Sequence, residues 1–314
     1  IGMPSIEIMI ISSILKKNHN VYYTRDLKDK EIENCDFVIL PSSIIAHETE
    51  LDTILKLKHK KIFVTGIFAS VKREKYLHEN SIVVKNESDT FFYNLEKSNN
   101  LNLNFLNELF NKKDLINDFY SSVELDDFPY PDWGSYTKKF PLRNDFFGLK
   151  EKIAIPLLGT RGCPYSCFFY CTYPLQQGRK VRARSVENII EEIKYWKKEL
   201  GTNKFVFRDP VFSINRKHTI DFCKKVIEEK LDITFMVETH LNNLDDEMIL
   251  LLRTAGLELV YVGVESSSNF VLKDMKRFTV EHDKQYEVIK KCEDAGIKVK
   301  TMFIIGNPED NEDT

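Results

Sequence analysis

Three of the six cysteines in this 314-residue chain, Cys163, Cys167 and Cys171, fall within nine residues of the run T-R-G-C-P-Y-S-C-F-F-Y-C. Three thiolates on one short loop can hold three corners of an iron–sulfur cube and leave the fourth iron open, so that the metal can bind a substrate as well as carry electrons. A structural zinc site is the alternative, but zinc takes four ligands and no nearby His or Cys completes the set. Gly162 and Pro164 flank Cys163 and suit a loop that wraps tightly enough to aim its thiolates at one point. The remaining cysteines read as core: Cys223 and Cys292 sit on apolar helix stripes, and Cys35 begins a strand.

Polar residues at strand ends are the other candidates. Arg208 and Asp209 end one apolar strand, where a carboxylate can accept hydrogen bonds from an ammonium group. An Arg–Asp pair bracing the strand end is the competing reading. Glu265 closes the strand V-Y-V-G-V, and a carboxylate there is costly if buried unpaired, which favours a site role. His240 ends a further strand, a place where a lone His is more often a packing or surface residue.

Such groups work together only if a scaffold gathers the strand ends. The pattern predicts strand 152–158, helix 185–200, strand 204–208, helix 215–230, strand 233–238, helix 245–255, strand 258–264, helix 280–295 and strand 298–305, a βα repeat with no hairpins. Ser185, Asp245 and Thr279 sign helix starts, and Gly201, Gly256 and Gly296 sign helix ends. The repeat makes a parallel sheet with helices on its faces, either an open doubly wound sheet or a partial barrel. In both, loops after the strand C-termini hold the chemistry, and the cysteine loop follows strand 152–158.

The first part alternates in the same way, with helices expected over 4–17, 46–58 and 88–97 and strands over 35–40, 61–66 and 81–85. After it, L-D-D-F-P-Y-P-D-W-G at 125–134 carries two prolines and a glycine that prevent regular structure. The expected division is a doubly wound domain over 1–100, a linker over 101–150 and a second α/β domain over 151–314. The start at Ile1 and the end at E-D-N-E-D-T predict a piece cut from a longer chain.

A net charge of -3 and a pI near 6.2 leave no basic excess to hold a nucleic acid, which is therefore not implied. No apolar stretch approaches the roughly 18 residues of a membrane span. The clustering of cysteines predicts a reducing, cytoplasmic setting in which thiolates stay free for metal. Lysine-rich 56–61 and 194–198 read as solvated helix faces or ends.

Several of these segments together resemble the radical SAM superfamily, in its branch with an N-terminal cobalamin-binding-type domain. The resemblance lies in T-R-G-C-P-Y-S-C, Y-P-L-Q-Q-G-R-K-V-R-A-R-S-V-E-N-I-I-E-E-I, F-V-F-R-D-P-V-F-S-I-N-R-K, V-G-V-E-S-S-S with the following L-K-D-M-K-R, and F-I-I-G-N-P-E-D, across 125–314. It implies a Rossmann-like domain followed by a partial (β/α)6 barrel, here expected without its last unit. It also implies that Cys163, Cys167 and Cys171 bind a [4Fe-4S] cluster whose open iron chelates S-adenosylmethionine, cleaved to a 5′-deoxyadenosyl radical. By the same resemblance Arg208 and Asp209 lie at the amino end of S-adenosylmethionine, Glu265 and Ser266 by its ribose and methionine, and Tyr170 near the adenine. His240 stands where the family often has Arg and can donate one hydrogen bond. The cysteine spacing departs from the family by one extra residue between Cys167 and Cys171.

At the N-terminus, I-G-M-P-S-I-E-I-M-I-I-S-S-I-L-K-K-N-H-N-V resembles the first helix of a cobalamin-binding domain without its preceding strand, and V-T-G-I-F-A-S and V-V-K-N-E-S-D-T-F-F resemble further pieces. The D-x-H-x-x-G motif is absent. Either cobalamin binds without a protein His ligand or the domain has lost it. The expectation is a radical S-adenosylmethionine enzyme, with cobalamin-dependent methyl transfer as the leading reaction. Oxidation, rearrangement or cyclisation without cobalamin, and a non-catalytic metal-stabilised binding module, are the alternatives. A small-molecule or biosynthetic-intermediate substrate and a reductant protein such as a flavodoxin or ferredoxin complete the implied partners.

Overall fold

The computed structural model describes residues 5–98, 101–113, 116, 119–141, 154–167, 170–277 and 281–312. The chain divides into two compact units, one built from residues 3–141 with 175–177 and the other from 142–174 and 178–314. Among the described residues, no helix is long and apolar enough to cross a membrane.

The first unit runs α1 (Ile6–Leu15), α2 (Lys30–Asn34), β1 (Phe37–Pro41), α3 (His47–Lys56), β2 (Lys61–Thr65), α4 (Ile67–Val71), α5 (Arg73–Tyr76), β3 (Ser81–Val83), α6 (Ser88–Lys97), α7 (Leu103–Asn111) and α8 (Trp133–Lys139). Its three strands pair in parallel in the order β1-β2-β3. Alternate residues of β2 point to opposite faces, and both faces are covered. Phe63 packs with Phe91, Phe92, Leu106 and Phe110 on one side, while Ile62 and Val64 pack with Ile54, Ala69 and Tyr76 on the other. Phe63 is fully buried, which contributes about 2–3 kcal/mol relative to an exposed ring.

The expected linker is corrected here, because much of 101–141 belongs to this unit. Leu106, Leu109 and Phe110 of α7 enter the Phe63 core, and Val123, Leu125 and Phe128 pack on Ile10 and Ile14 of α1. The proline-rich run is irregular, as its composition predicts, yet it is tied down: the Asp132 N–H donates to Met9 O at 3.0 Å, and the Asp132 carboxylate accepts from Ser12 and Tyr23.

After it come β4 (Ala154–Leu157), β5 (Thr160–Arg161), α9 (Tyr173–Gln177), β6 (Arg182–Ala183), α10 (Val186–Leu200), β7 (Lys204–Phe207), α11 (Arg216–Glu228), β8 (Thr234–Thr239), α12 (Asp246–Ala255), β9 (Leu257–Glu265), α13 (Asn269–Asp274), α14 (His282–Asp294) and β10 (Lys298–Phe303). The large sheet of the second unit has the order β10-β9-β8-β7-β4, every pair parallel. Strands are thus laid down in sequence with no reversal of order, which is the winding of a barrel segment and not of an open sheet with a switch point. β10 lies at the edge of this sheet, exposing Met302, Phe303 and, just beyond it, Ile305.

The helix signals act as expected where the residues are described. Ser185 accepts from the Asn188 N–H and Asp245 from the Met248 N–H, and Gly201 and Gly256 close their helices in the left-handed conformation. Thr279 lies outside the described residues, and Glu281 is the cap position of α14. One expectation fails: β5 and β6 pair antiparallel, Thr160 with Ala183 and Arg161 with Arg182. Twenty residues separate the two short strands, too long for a tight hairpin signal in the sequence, and the cysteines lie between them.

Candidate functional site

The β5–β6 pair closes the base of a loop that runs from Gly162 to Val181. Gly162 has φ +91°, and a Cβ on it would stand 2.1 Å from the Lys180 carbonyl oxygen, so the two ends of the loop approach at a point only glycine allows. The Cys163 N–H donates to Gly178 O at 3.1 Å, and Arg179 donates to Tyr165 O at 2.8 Å. The base of the loop is fixed by backbone contacts that leave the thiols available.

Cys163 is buried, and Cys167 and Cys171 are half-buried. Burial pushes the Cys163 and Cys171 thiols up, while the N–H groups of Tyr165 and Tyr173 hydrogen-bond to them and pull back. The thiols also act on one another electrostatically. Among the described residues no three His, Cys, Asp or Glu side chains are gathered closely enough to hold a single ion. Phe168 and Phe169, which supply the extra length between Cys167 and Cys171, lie outside the described residues.

Strand-end side chains of the same unit surround this loop. Arg277, just past α13, donates from Nη1 to Cys167 Sγ at 3.7 Å and from Nη2 to Gly263 O at 2.7 Å. Its Nη1 is also 3.5 Å from Glu265 Oε1. A Cβ at Gly263 would fall 2.2 Å from Glu265 Oε1 and 2.8 Å from Arg277 Nη2, so the missing side chain makes room for this pair. Glu265 is buried with φ +68°, a conformation that costs a non-glycine residue about 1–3 kcal/mol and clusters at functional sites. Burial pushes its carboxyl up, and Arg277 offsets part of that shift.

Asp209, following β7, is 1% exposed and faces the loop after β4. Its Oδ1 accepts from the Gly159 N–H at 2.8 Å and its Oδ2 from Thr160 Oγ1 at 2.7 Å. Burial pushes its pKa up to about 6 despite these bonds. Both oxygens are therefore engaged by the chain itself, and Asp209 joins the end of β7 to the start of β5. Arg208 donates to Glu238 Oε1 at 2.6 Å, so the Arg–Asp brace gives way to a pairing with the neighbouring strand β8. Tyr173, two residues past Cys171, reaches the other Glu238 oxygen at 3.5 Å.

His240 is buried, accepts the Asn242 N–H at Nδ1 and lies against the Tyr165 ring at 5.3 Å between centroids. Its ring therefore abuts the cysteine loop. Ser266 Oγ accepts the Ser268 N–H at 3.1 Å, shaping the turn after Glu265. The Tyr170 phenol is set against Cys167, and burial pushes its pKa up. Composition alone did not single out Arg277, Glu238, Tyr165 or Tyr173. Only Gly263, a gap in an otherwise apolar strand, marks where a large side chain must enter.

Residues 157–314 match the Radical SAM superfamily. An uncharacterized methyltransferase from Pyrococcus horikoshii is 29% identical over 157 residues, 50% of this chain and 34% of the relative. An anaerobic magnesium-protoporphyrin IX monomethyl ester cyclase from Rubrivivax gelatinosus is 29% identical over 188 residues, 59% of this chain and 32% of the relative. The chain thus spans about a third of the length of these curated relatives. In fold, it is similar to the radical S-adenosylmethionine methyltransferase TsrM from Kitasatospora setae, solved with cobalamin and a [4Fe-4S] cluster bound, at TM-score 0.70 and 13% identity over 98% of this chain and 68% of that one. It is also similar to the cobalamin-dependent S-adenosylmethionine radical enzyme OxsB, at TM-score 0.65 and 17% identity over 96% of this chain and 46% of that one. A sequentially wound parallel sheet, a cysteine loop after its first strand and a family match over half the chain agree: the protein belongs to the radical SAM superfamily of enzymes.

Proposed function

We propose that Cys163, Cys167 and Cys171 hold the [4Fe-4S] cluster that family membership implies, and that S-adenosylmethionine binds at the strand ends beside them. The carrying observation is the set around Cys167, where Arg277 joins a cysteine sulfur to the carboxylate of Glu265. The donor set fits the group. Three thiols without a fourth ligand suit a cube with one open iron, and the cube spaces its thiolates on separate irons, farther apart than ligands of a single ion. Amide donors from Tyr165 and Tyr173 to the sulfurs favour the thiolate form.

When bound, the cluster supplies the electron that cleaves S-adenosylmethionine to a 5′-deoxyadenosyl radical. The chain's own residues orient and shield. Arg277 offers a planar cationic fork to a carboxylate or to the anionic cluster, Glu265 and Ser266 offer acceptors beside it, and Tyr170 offers an aromatic face. Asp209 acts as a positioning residue that fixes the entry to the cysteine loop. The test is anaerobic reconstitution with iron and sulfide. Cluster absorbance and 5′-deoxyadenosine release under dithionite support the reading, and a cluster-free chain holding one tight zinc overturns it.

For the whole protein we infer cobalamin-dependent methyl transfer to a small-molecule substrate, in the cytoplasm and fed by a reductant protein. Methyltransferases among the relatives and the cobalamin named with TsrM and OxsB support this, as does a parallel sheet in the first unit whose β1 and β2 open into the loops at Ser42–Ala46 and Gly66. The division proposed is a cobalamin-binding unit followed by the radical SAM core. A cobalamin-free oxidation or cyclisation is the second reading; the cyclases among the relatives, at the same level of identity, support cyclisation as a reaction type. Corrinoid absorbance retained after anaerobic purification separates the two.

A further inference from the structure

Arg184 directly follows β6, where the chain has just left the cysteine loop, and its contacts reach back to the place where the chain enters that loop. Its backbone N–H donates to Gly159 O at 2.9 Å and its Nη1 to Leu158 O at 3.1 Å. Asp209 takes the Gly159 N–H and the Thr160 hydroxyl. Residues 158–160 are therefore held through carbonyl, amide and hydroxyl groups. A Cβ on Gly159 would fall 3.1 Å from Asp209 Oδ2 and 3.3 Å from Ile189 Cδ1, so the segment is also closely packed.

The guanidinium is itself fixed. Nη1 also donates to Glu192 Oε2 at 2.5 Å and Nε to Asn188 Oδ1 at 2.8 Å, while the Arg184 carbonyl accepts from His218 Nε2 at 2.8 Å. Glu192 is fully buried on the stripe of α10 that carries Ile189, Ile193 and Trp196, and its other oxygen accepts from Trp196 Nε1 at 3.1 Å. A carboxylate in such a place is poor material for stability. Desolvation offsets much of the attraction in a buried ion pair, and apolar replacements of similar volume are often as stable. What the pair supplies is direction: a planar fork held by Glu192 and Asn188 keeps the Leu158 carbonyl in one place.

We propose that Arg184 is a positioning residue for the cluster, with Glu192 as its counter-charge. It sets where the chain enters the cysteine loop, and through that the placement of Cys163 relative to Cys167 and Cys171. The proposal rests on the reading of these three cysteines as cluster ligands. Groups that orient metal ligands act without touching the metal, and losing one typically costs about 10–100-fold in affinity or activity.

Replacing Arg184 alone leaves Glu192 as a buried carboxylate without its cation and endangers the fold. The test therefore uses R184M/E192Q in the full chain, where the amide oxygen of the new side chain still accepts from Trp196. Its urea midpoint is expected close to that of wild type. After anaerobic reconstitution and reduction with dithionite, the variant should show a broadened electron paramagnetic resonance signal, and the change in g-values on adding S-adenosylmethionine should need about tenfold more of it. R184K keeps a cation for Glu192 and gives up the fork; it should show the same two changes in smaller measure, and it carries the comparison if the double variant unfolds. A folded variant with the wild-type signal and the wild-type dependence on S-adenosylmethionine overturns the proposal and leaves the pair a brace for α10. Amide hydrogen exchange at residues 159–163 of the metal-free chain stands apart from the cluster reading. Faster exchange in the variants is expected and equal exchange counts against the clamp, whereas a wild type that takes up no iron and sulfide counts against the cluster reading alone.

Discussion

Arg277 donates to the sulfur of Cys167 across 3.7 Å, although 110 residues separate the two in sequence. The same guanidinium is the counter-charge of Glu265, and both side chains are largely buried. Removing it by Arg277→Met should leave a carboxylate buried without its cation, at a cost on the order of 3 kcal/mol. The measurement is the urea midpoint of R277M against that of the double variant E265Q/R277M. Recovery of most of the loss in the double variant is the expected outcome, and equal losses in both would show that the pair contributes nothing.

The cysteines should separate into two classes. Serine at Cys163, Cys167 or Cys171 is expected to abolish iron and sulfide uptake on reconstitution. Serine at Cys223, whose thiol burial pushes up to about 12, or at Cys292 should leave uptake intact and cost only packing. Iron and sulfide counts per chain, taken with the near-ultraviolet and visible spectrum, make the comparison.

Asp209 makes stability depend on pH in a definite direction. Its pKa rises from an ordinary 3.8 to about 6 on folding, chiefly through burial. Between those values the folded state binds more protons than the unfolded state, so this group's contribution falls as pH rises from about 4 to 6, by an amount on the order of 3 kcal/mol. Asp209→Asn can keep the bond from the Gly159 N–H and donate to a turned Thr160 hydroxyl, giving up only the acceptor that the Thr160 N–H also uses. Urea midpoints of D209N and wild type from pH 4 to 8 should therefore converge at the acid end, with the variant the more stable at pH 8. A constant difference across that range would contradict the assignment.

Gly162→Ala should act on the cysteine loop before it acts on the sheet. An alanine there meets the Lys180 carbonyl at 2.1 Å in a left-handed backbone, so the loop base must shift, at a cost of more than about 1 kcal/mol. Reduced iron uptake with near-native circular dichroism is expected. Alanine at Gly178, which has open space around its Cβ direction but φ +75°, should be milder.

Local signals are legible in the sequence. Ser185 and Asp245 cap the helices they precede, and the strand alternation that put Phe63 and Ile62 on opposite faces follows from period-two geometry. Contacts between distant segments were not readable. The β5–β6 pair joins two dipeptides too short to carry a pattern, and nothing local in K-D-M-K-R marks Arg277 as the side chain that turns into the space Gly263 leaves. Asp209 was visible as a strand-end carboxylate, but its donors, Gly159 and Thr160, sit on another strand's loop. The apolar stripe of α7 could have placed 103–111 in a core, had the neighbouring prolines not drawn the whole stretch into a linker.

The edge position of β10 has a consequence for handling the protein. Among the described residues β10 is paired on one side only, which leaves a row of backbone donors and acceptors open, and Met302, Phe303 and Ile305 are exposed beside them. That combination is a template for strand addition between molecules. A strand added there, from further chain or from a second molecule, would find its backbone partners waiting, and a lysine or proline placed along β10 should block that pairing.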